Sequence, residues 1–276
     1  CAPWSEATDA PPQRLRRTRV ACLTFRLATV APVDDAPLIT GVDGLVPIGT
    51  GSTSSVYRGR HTESGETVAV KVLHVRLTES ARSERFDREL ALIRGLDTAH
   101  LERVRASGWT PDARPWIVVP HLPDDLASIV HEHGPVSWRE AVAVGRQACD
   151  ALSAAHRAGV MHGGLKPSDL RFDDDGLTHV ADLGLSRYLG ARDVADSAAS
   201  RLAHTPPEVL EGRRNDARSD VYSLASSLFL ALSGRAPFDS VDDGGTRGLI
   251  DRILGARIVP LTRFGVPYPI DEAIRR

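Results

Sequence analysis

Apolar positions along the chain follow two different periods. From Val42 to Leu73 they alternate with polar ones, the mark of half-buried strands. Three strands are predicted: Val42 to Gly49, Ser55 to Arg60 and Thr67 to Leu73, joined by Gly-containing turns. The period then lengthens. Thr78 offers an N-cap, and Phe86, Leu90 and Ile93 recur at helical spacing. Two short strands follow, near Val104 and at Trp116 to Val119.

Beyond His121 the pattern is mainly helical. Ser137 and Glu140 form a capping box ahead of a long helix whose apolar stripe is Val144, Ala148, Leu152 and Ala155. Short strands are predicted at Leu170 to Phe172 and Leu177 to Val180. Helices are predicted from about Ser219 to Ser233, stopped by Gly234, and from Ile270 to Arg276. Strands with one helix therefore precede a helical unit. That order implies an α+β molecule of two lobes with a cleft between them, a common place for a ligand. Residues 1 to 38 are rich in Pro, Ala and Arg without sustained periodicity and read as a solvated linker, with a basic cluster at Arg14, Arg16, Arg17 and Arg19.

Composition narrows the classes of function. A net charge of −2 gives no general drive towards nucleic acid or an anionic membrane. Cys1, Cys22 and Cys149 are scattered and odd in number, with no disulfide framework and no metal spacing, which favours a reducing, cytoplasmic setting. The best apolar run, Val221 to Leu232, is interrupted by serines and reads as a buried helix rather than a membrane span. His131 and His133 are close, but nothing nearby completes a metal site, so they read as surface histidines. The chain begins at Cys1 rather than Met, which reads as a fragment. Almost every basic residue is Arg; the two lysines are Lys71 and Lys166. Lysine retained against such a bias suggests positions that require a compact ammonium.

Three segments suggest phosphate chemistry. Gly49-Thr-Gly51-Ser-Thr-Ser54-Ser-Val56 lies between two predicted strands, where glycines let backbone N–H groups approach phosphate oxygens. A dinucleotide-binding reading fails because a strand follows, not a helix. In Val68-Ala69-Val70-Lys71, alternation places Lys71 on one face of the third strand. A lysine facing a cleft needs an acid to hold it, and Glu89, mid-helix in Arg88-Glu89-Leu90, is the acid expected to do so.

These segments, in this order, resemble the smaller lobe of eukaryotic-like bacterial Ser/Thr protein kinases. Trp116-Ile-Val-Val119-Pro-His-Leu122 looks like that family's fifth strand and hinge. Asp182-Leu183-Gly184 resembles its DFG motif, Pro206-Pro207-Glu208 its APE motif, and Ser219 to Leu224 and Gly234 to Phe238 its next helix and loop. The resemblance spans Val42 to Phe238, and both lysines fall on motif positions. It implies a bilobal kinase domain over 42–276, with an N-lobe at 42–119, a hinge at 120–123 and a C-lobe at 124–276 that ends before the family's last helices. Glu208 would then lack the arginine that those helices supply.

The resemblance also implies roles, with ATP and Mg²⁺ as cofactors. Gly49 and Gly51 would cover the phosphates, and Lys71 would touch the α- and β-phosphates while pairing with Glu89. Asp182 would hold Mg²⁺. The carbonyl of Pro120 and the N–H of Leu122 would meet adenine beneath a ceiling of Val56 and Ala69. Lys166 would contact the γ-phosphate.

The transfer side departs from the family. In Met161-His162-Gly163-Gly164-Leu165-Lys166-Pro167-Ser168-Asp169, the position of the catalytic Asp is Gly164 and that of the metal-binding Asn is Asp169. Glycine can neither accept a proton nor orient a hydroxyl, and a general base contributes roughly 10²- to 10⁴-fold. Gly163 removes the Arg that would read a phosphorylated activation loop, and Arg201 stands at the usual Thr near the substrate. Ser54 replaces the third loop glycine. Arg171 falls where an apolar residue would floor the adenine site, its head expected to escape to solvent. The expectation is a pseudokinase that binds nucleotide and works through protein partners. Another kinase acting in trans on Ser186, Ser197, Ser200 or Thr205 would be one such partner. The alternative is an active Ser/Thr kinase with a non-standard base, Asp169 or Asp173. His162-Gly163 also resembles the His-Gly-Asp of aminoglycoside phosphotransferases, but Lys166-Pro167 and Pro206-Pro207-Glu208 fit protein kinases better.

Overall fold

The computed structural model describes residues 37–51, 53–188, 201–239, 245–255 and 257–275. The basic cluster at Arg14 to Arg19, Ser197 and Ser200 lie outside the described residues.

Five antiparallel strands form the first sheet: β1 (Val42–Thr50), β2 (Ser54–His61), β3 (Thr67–Leu73), β4 (Ala106–Trp109) and β5 (Pro115–Pro120), in the order β1-β2-β3-β5-β4. β3 and β5 are buried almost throughout, as central strands flanked on both edges should be. One face of the sheet packs on α1 (Ser80–Arg94) through Phe86 and Leu90, while Ile93, the third residue whose spacing predicted the helix, joins the core of the helical lobe. Its start differs from expectation. Glu79, not Thr78, occupies the N-cap position, and no side chain caps it. The strand expected near Val104 forms two residues later, where Ala106 to Trp109 pair with β5.

The helical lobe is built around α3 (Trp138–Arg157), which follows the shorter α2 (Leu126–His133), and the long helix Ala217–Ser233. The Ser137–Glu140 capping box forms in both directions, and Val144, Ala148, Leu152 and Ala155 enter one apolar cluster with Leu224, Leu228 and Ala231 of the second helix. That helix begins two residues earlier than predicted because Asp216 caps it, accepting from the N–H groups of Arg218 and Ser219. Gly234 ends it in the left-handed conformation at φ 79°, which favours glycine. A small sheet of β6 (Asp124–Asp125), β7 (Leu170–Phe172) and β8 (Thr178–Val180) lies under the cleft. Shorter helices at Leu126–His133, Pro207–Leu210, Gly245–Gly255 and Tyr268–Arg275 complete the lobe. Glu208, expected without a partner, accepts from Ser219 Oγ at 2.7 Å. No described helix is long and apolar enough to cross a membrane.

Besides the hinge, a parallel bridge between Leu101 and Val180 joins the lobes among the described residues. It is made of two backbone bonds: Glu102 N–H donates to Val180 O at 3.0 Å and Val180 N–H to His100 O at 2.9 Å. The segment after α1 is thereby stitched to β8, two residues before Asp182.

Candidate active site

A cleft of about 500 Å³ lies between the lobes. Gly49, Gly51, Ser54, Val56, Ala69 and Lys71 line it from the first sheet, Pro120 and Leu122 from the hinge, and Lys166, Asp169, Arg171 and Asp182 from below. The sequence-selected residues on this wall converge, with one exception.

The exception is Glu89. Its carboxylate accepts from Tyr188 Oη at 2.8 Å and from Arg85 Nε at 3.1 Å, and it does not line the cleft. Tyr188 ends a short 3₁₀ turn, Leu185–Tyr188, and its ring meets Phe86 edge-on at 5.1 Å. Lys71 pairs instead with Glu102 at 2.6 Å and with Asp182 at 2.8 Å. The expected Lys71–Glu89 pair is therefore replaced by a Lys71–Glu102 pair. The reason is tertiary: Glu102 N–H donates to Val180 O, which fixes residue 102 beside the cleft that its side chain lines. Sequence reading passed over Glu102. Its sequence neighbours, Leu101 and Arg103, gave no local signal of the pairing.

The Lys71–Glu102 pair is almost dry, with side chains 5% and 4% exposed. Burial pulls the Lys71 ammonium down, but Asp182 and Glu102 together outweigh it and hold it above its ordinary value. Burial pushes Asp182 up, yet Lys71 and then Lys166 hold its carboxyl well below the usual range. Asp182 also adopts φ 56°, a left-handed conformation uncommon outside glycine. Such conformations persist where the surroundings dictate them, and they concentrate at functional sites.

The catalytic-loop region is ordered by one buried acid. Asp220 accepts from the N–H groups of His162 and Gly163, both at 2.8 Å, and contacts His156 Nε2 at 2.8 Å. His162 Nε2 lies 2.9 Å from Ala181 O, tying this loop to the Asp182 turn. The frame is complete, but the position it presents, Gly164, has no side chain. A Cβ there would meet Ser186 Cβ at 3.3 Å, a contact that a small shift relieves. At Gly163 the barrier is higher: φ is 75° and a Cβ would fall 2.7 Å from Ser186 Oγ. Ser186 Oγ donates to His162 O and Thr205 Oγ1 to Arg201 O, so both hydroxyls already have partners.

Asp169 is 3% exposed; its carboxylate accepts from Lys166 Nζ and from the Lys166 N–H. Asp173, the other candidate base, does not line the cleft. Its carboxylate is occupied by His179 at 2.9 Å and by the N–H groups of Asp175 and Leu177. Arg201 has no hydroxyl to offer a substrate; burial lowers its pKa while Asp169 and Asp182 act against that fall. Arg171 also differs from expectation. Its head does not escape to solvent but donates to Leu122 O at 2.7 Å, laying a guanidinium across the floor beside the hinge. Magnesium takes one or two carboxylates plus phosphate oxygens. Asp169 and Asp182 on one cleft wall fit that need, each with a lysine for its present counter-charge.

Residues 43–263 match the family model for the protein kinase domain. Serine/threonine-protein kinase PknK of Mycobacterium tuberculosis (strain ATCC 25618 / H37Rv) is 35% identical over 272 residues, covering 98% of this chain and 24% of the relative. Serine/threonine-protein kinase A of Synechocystis sp. is 30% identical over 217 residues, covering 72% of this chain and 42% of the relative. Serine/threonine-protein kinase PknL of Mycobacterium bovis is 33% identical over 196 residues, covering 69% and 49%. The chain thus spans between about a quarter and a half of the length of these relatives.

Proposed function

Because the chain belongs to the protein kinase family, we propose that its cleft binds ATP with Mg²⁺ while phosphate transfer is impaired, so that the domain works as a pseudokinase signalling module through protein partners. The observation that carries this reading is a contrast within one cleft. Lys71, Lys166, Asp169 and Asp182 all face it, whereas Gly164, framed by the bonds to Asp220, offers no proton acceptor. Binding needs the charges; transfer also needs a base to orient the attacking hydroxyl. The two lysines neutralise phosphate oxygens. The glycine loop approaches them through backbone N–H groups, and its Gly49 has no heavy atom within 4 Å of where a Cβ would sit. Bound magnesium would add positive charge between phosphate oxygens, with Asp182 and Asp169 as its protein ligands.

A second reading, an active Ser/Thr kinase with Asp169 as base, draws on the position of that carboxylate in the cleft. Against it, Asp169 is already engaged by the Lys166 ammonium and backbone N–H, so it must leave that pair to accept a proton. Protein partners of the proposed module include a kinase acting in trans. Ser186 and Thr205 would have to give up their backbone partners to be modified.

The test is transfer from γ-labelled ATP to the chain itself and to a generic protein, with Lys71→Ala as blank and Gly164→Asp as rescue. Label that appears only with Gly164→Asp supports the reading. Label above the blank in the natural sequence overturns it in favour of the active kinase.

A further inference from the structure

We infer that Glu102 is the residue that positions Lys71 for phosphate binding, in place of Glu89, and that the nucleotide site is therefore assembled independently of helix α1. This deepens the proposed nucleotide site and rests on that reading for its ligand, though not for the pairing itself.

Glu102 sits on the segment after α1, and its own N–H donates to Val180 O at 3.0 Å. Its neighbour Leu101 is 4% exposed and bridges Val180. The backbone of Glu102 is thus fixed to β8 in the lower lobe, and its carboxylate reaches up to Lys71 on β3 at 2.6 Å. Asp182, two residues beyond Val180, takes a second bond from the same ammonium at 2.8 Å. Lys71 is therefore held by two carboxylates, both anchored from the lower lobe.

Glu89 belongs to a different assembly. Tyr188 Oη and Arg85 Nε donate to it, so it ties α1 to the turn after Asp182-Leu183-Gly184. Bringing Glu89 to Lys71 would break the Tyr188 bond and place a third carboxylate beside an ammonium already paired twice in a nearly dry site. Like charges so placed repel strongly where water cannot screen them. Glu102 and Glu89 have exchanged the work the sequence pattern suggests: one orients the lysine, the other fastens the helix.

The chain contains two lysines, so isotope-labelled lysine gives one side-chain Cε signal for Lys71 and one for Lys166. These signals should be recorded for the natural chain, Glu102→Gln and Glu89→Gln, without nucleotide. Mg-ADP affinity of the same three proteins should then be measured by calorimetry. We expect Glu102→Gln to move the Lys71 signal and weaken Mg-ADP about tenfold to a hundredfold, the scale seen when a group that orients a binding residue is lost. Glu89→Gln leaves both unchanged. A Lys71 signal that moves with Glu89→Gln and not with Glu102→Gln overturns the inference. If the natural chain binds no Mg-ADP, the nucleotide reading fails, and the lysine signals alone decide the pairing. If Glu102→Gln does not fold, Lys71→Met/Glu102→Gln decides it. Regained folding shows that an uncompensated Lys71 charge was the cause, and no regain counts against the pair.

Discussion

The two halves of the cleft differ in how their charges are managed. On the phosphate side both lysines are paired with acids: Lys71 with Glu102 and Asp182, Lys166 with Asp169. On the transfer side the backbone frame is complete, with Asp220 holding two N–H groups and His162 holding Ala181, yet it surrounds Gly163 and Gly164. The bonds that shape this loop thus run through backbone groups, Asp220 and His162, and need no side chain at position 164. The frame is set by backbone groups and buried acids that stabilise the fold, so glycine at its centre leaves the rest standing.

The comparison breaks most sharply at Gly164. Gly164→Asp should raise transfer from γ-labelled ATP by roughly 10²- to 10⁴-fold, about 3–5 kcal/mol of barrier. Ser186 needs to yield only slightly, since its Cβ lies 3.3 Å from the new one. Gly163→Arg, measured alongside, should lower the melting temperature, because φ is 75° there and Ser186 Oγ lies 2.7 Å from the added Cβ.

Next in size is Lys71→Met. It leaves Glu102, 4% exposed, and Asp182, 27% exposed, without their shared cation, and should cost about 3–5 kcal/mol of unfolding free energy by denaturant titration. A cost near zero would mean that the phosphate side is far wetter than its 5% and 4% exposures indicate.

The transfer side carries a pH signature. His204 is 3% exposed, lies 2.7 Å from Ser226 Oγ through Nδ1, and has its pKa pushed down to about 4 by burial and then by Lys166. Unfolded, it returns to about 6.5. Between those values the unfolded chain binds the extra proton, so stability rises with pH. The contribution is complete above about pH 6.5, is lost progressively down to about pH 4, and is flat below. It amounts to about 3 kcal/mol at most. His204→Gln should flatten that part of an unfolding-free-energy profile measured from pH 7 to pH 4.

The smallest expected effect is at the adenine floor. Arg171→Leu replaces a guanidinium bonded to Leu122 O with an apolar surface. It should tighten Mg-ADP by about tenfold, ~1.4 kcal/mol, read by calorimetry. Weaker binding would assign Arg171 to the phosphates rather than to the floor.

Much of this was legible in the chain. Alternation marked the central strands, the 3.6-residue period marked α1 and α3, and Ser137–Glu140 marked where α3 begins. Those signals are local, arising from neighbours within a few residues. Motif order brought Gly49, Lys71, Asp169 and Asp182 towards one cleft, and the identity of Gly164 alone showed that this position carries no side chain. Three features were not legible. Glu208, expected without a partner, found Ser219, Arg171 turned to the hinge rather than to solvent, and Lys71 chose Glu102 over Glu89.

By itself, then, the sequence determined which chemical groups the cleft contains and which it lacks, because residue identity and local periodicity settle that. Only the tertiary structure decided which charge meets which. Lys71 lies 31 residues from Glu102 and 111 from Asp182, and such pairings depend on where Glu102 is stitched to Val180. In a site this dry, an ammonium pairs with the acid that the packing delivers within hydrogen-bond reach, and nothing local in the chain encodes that distance.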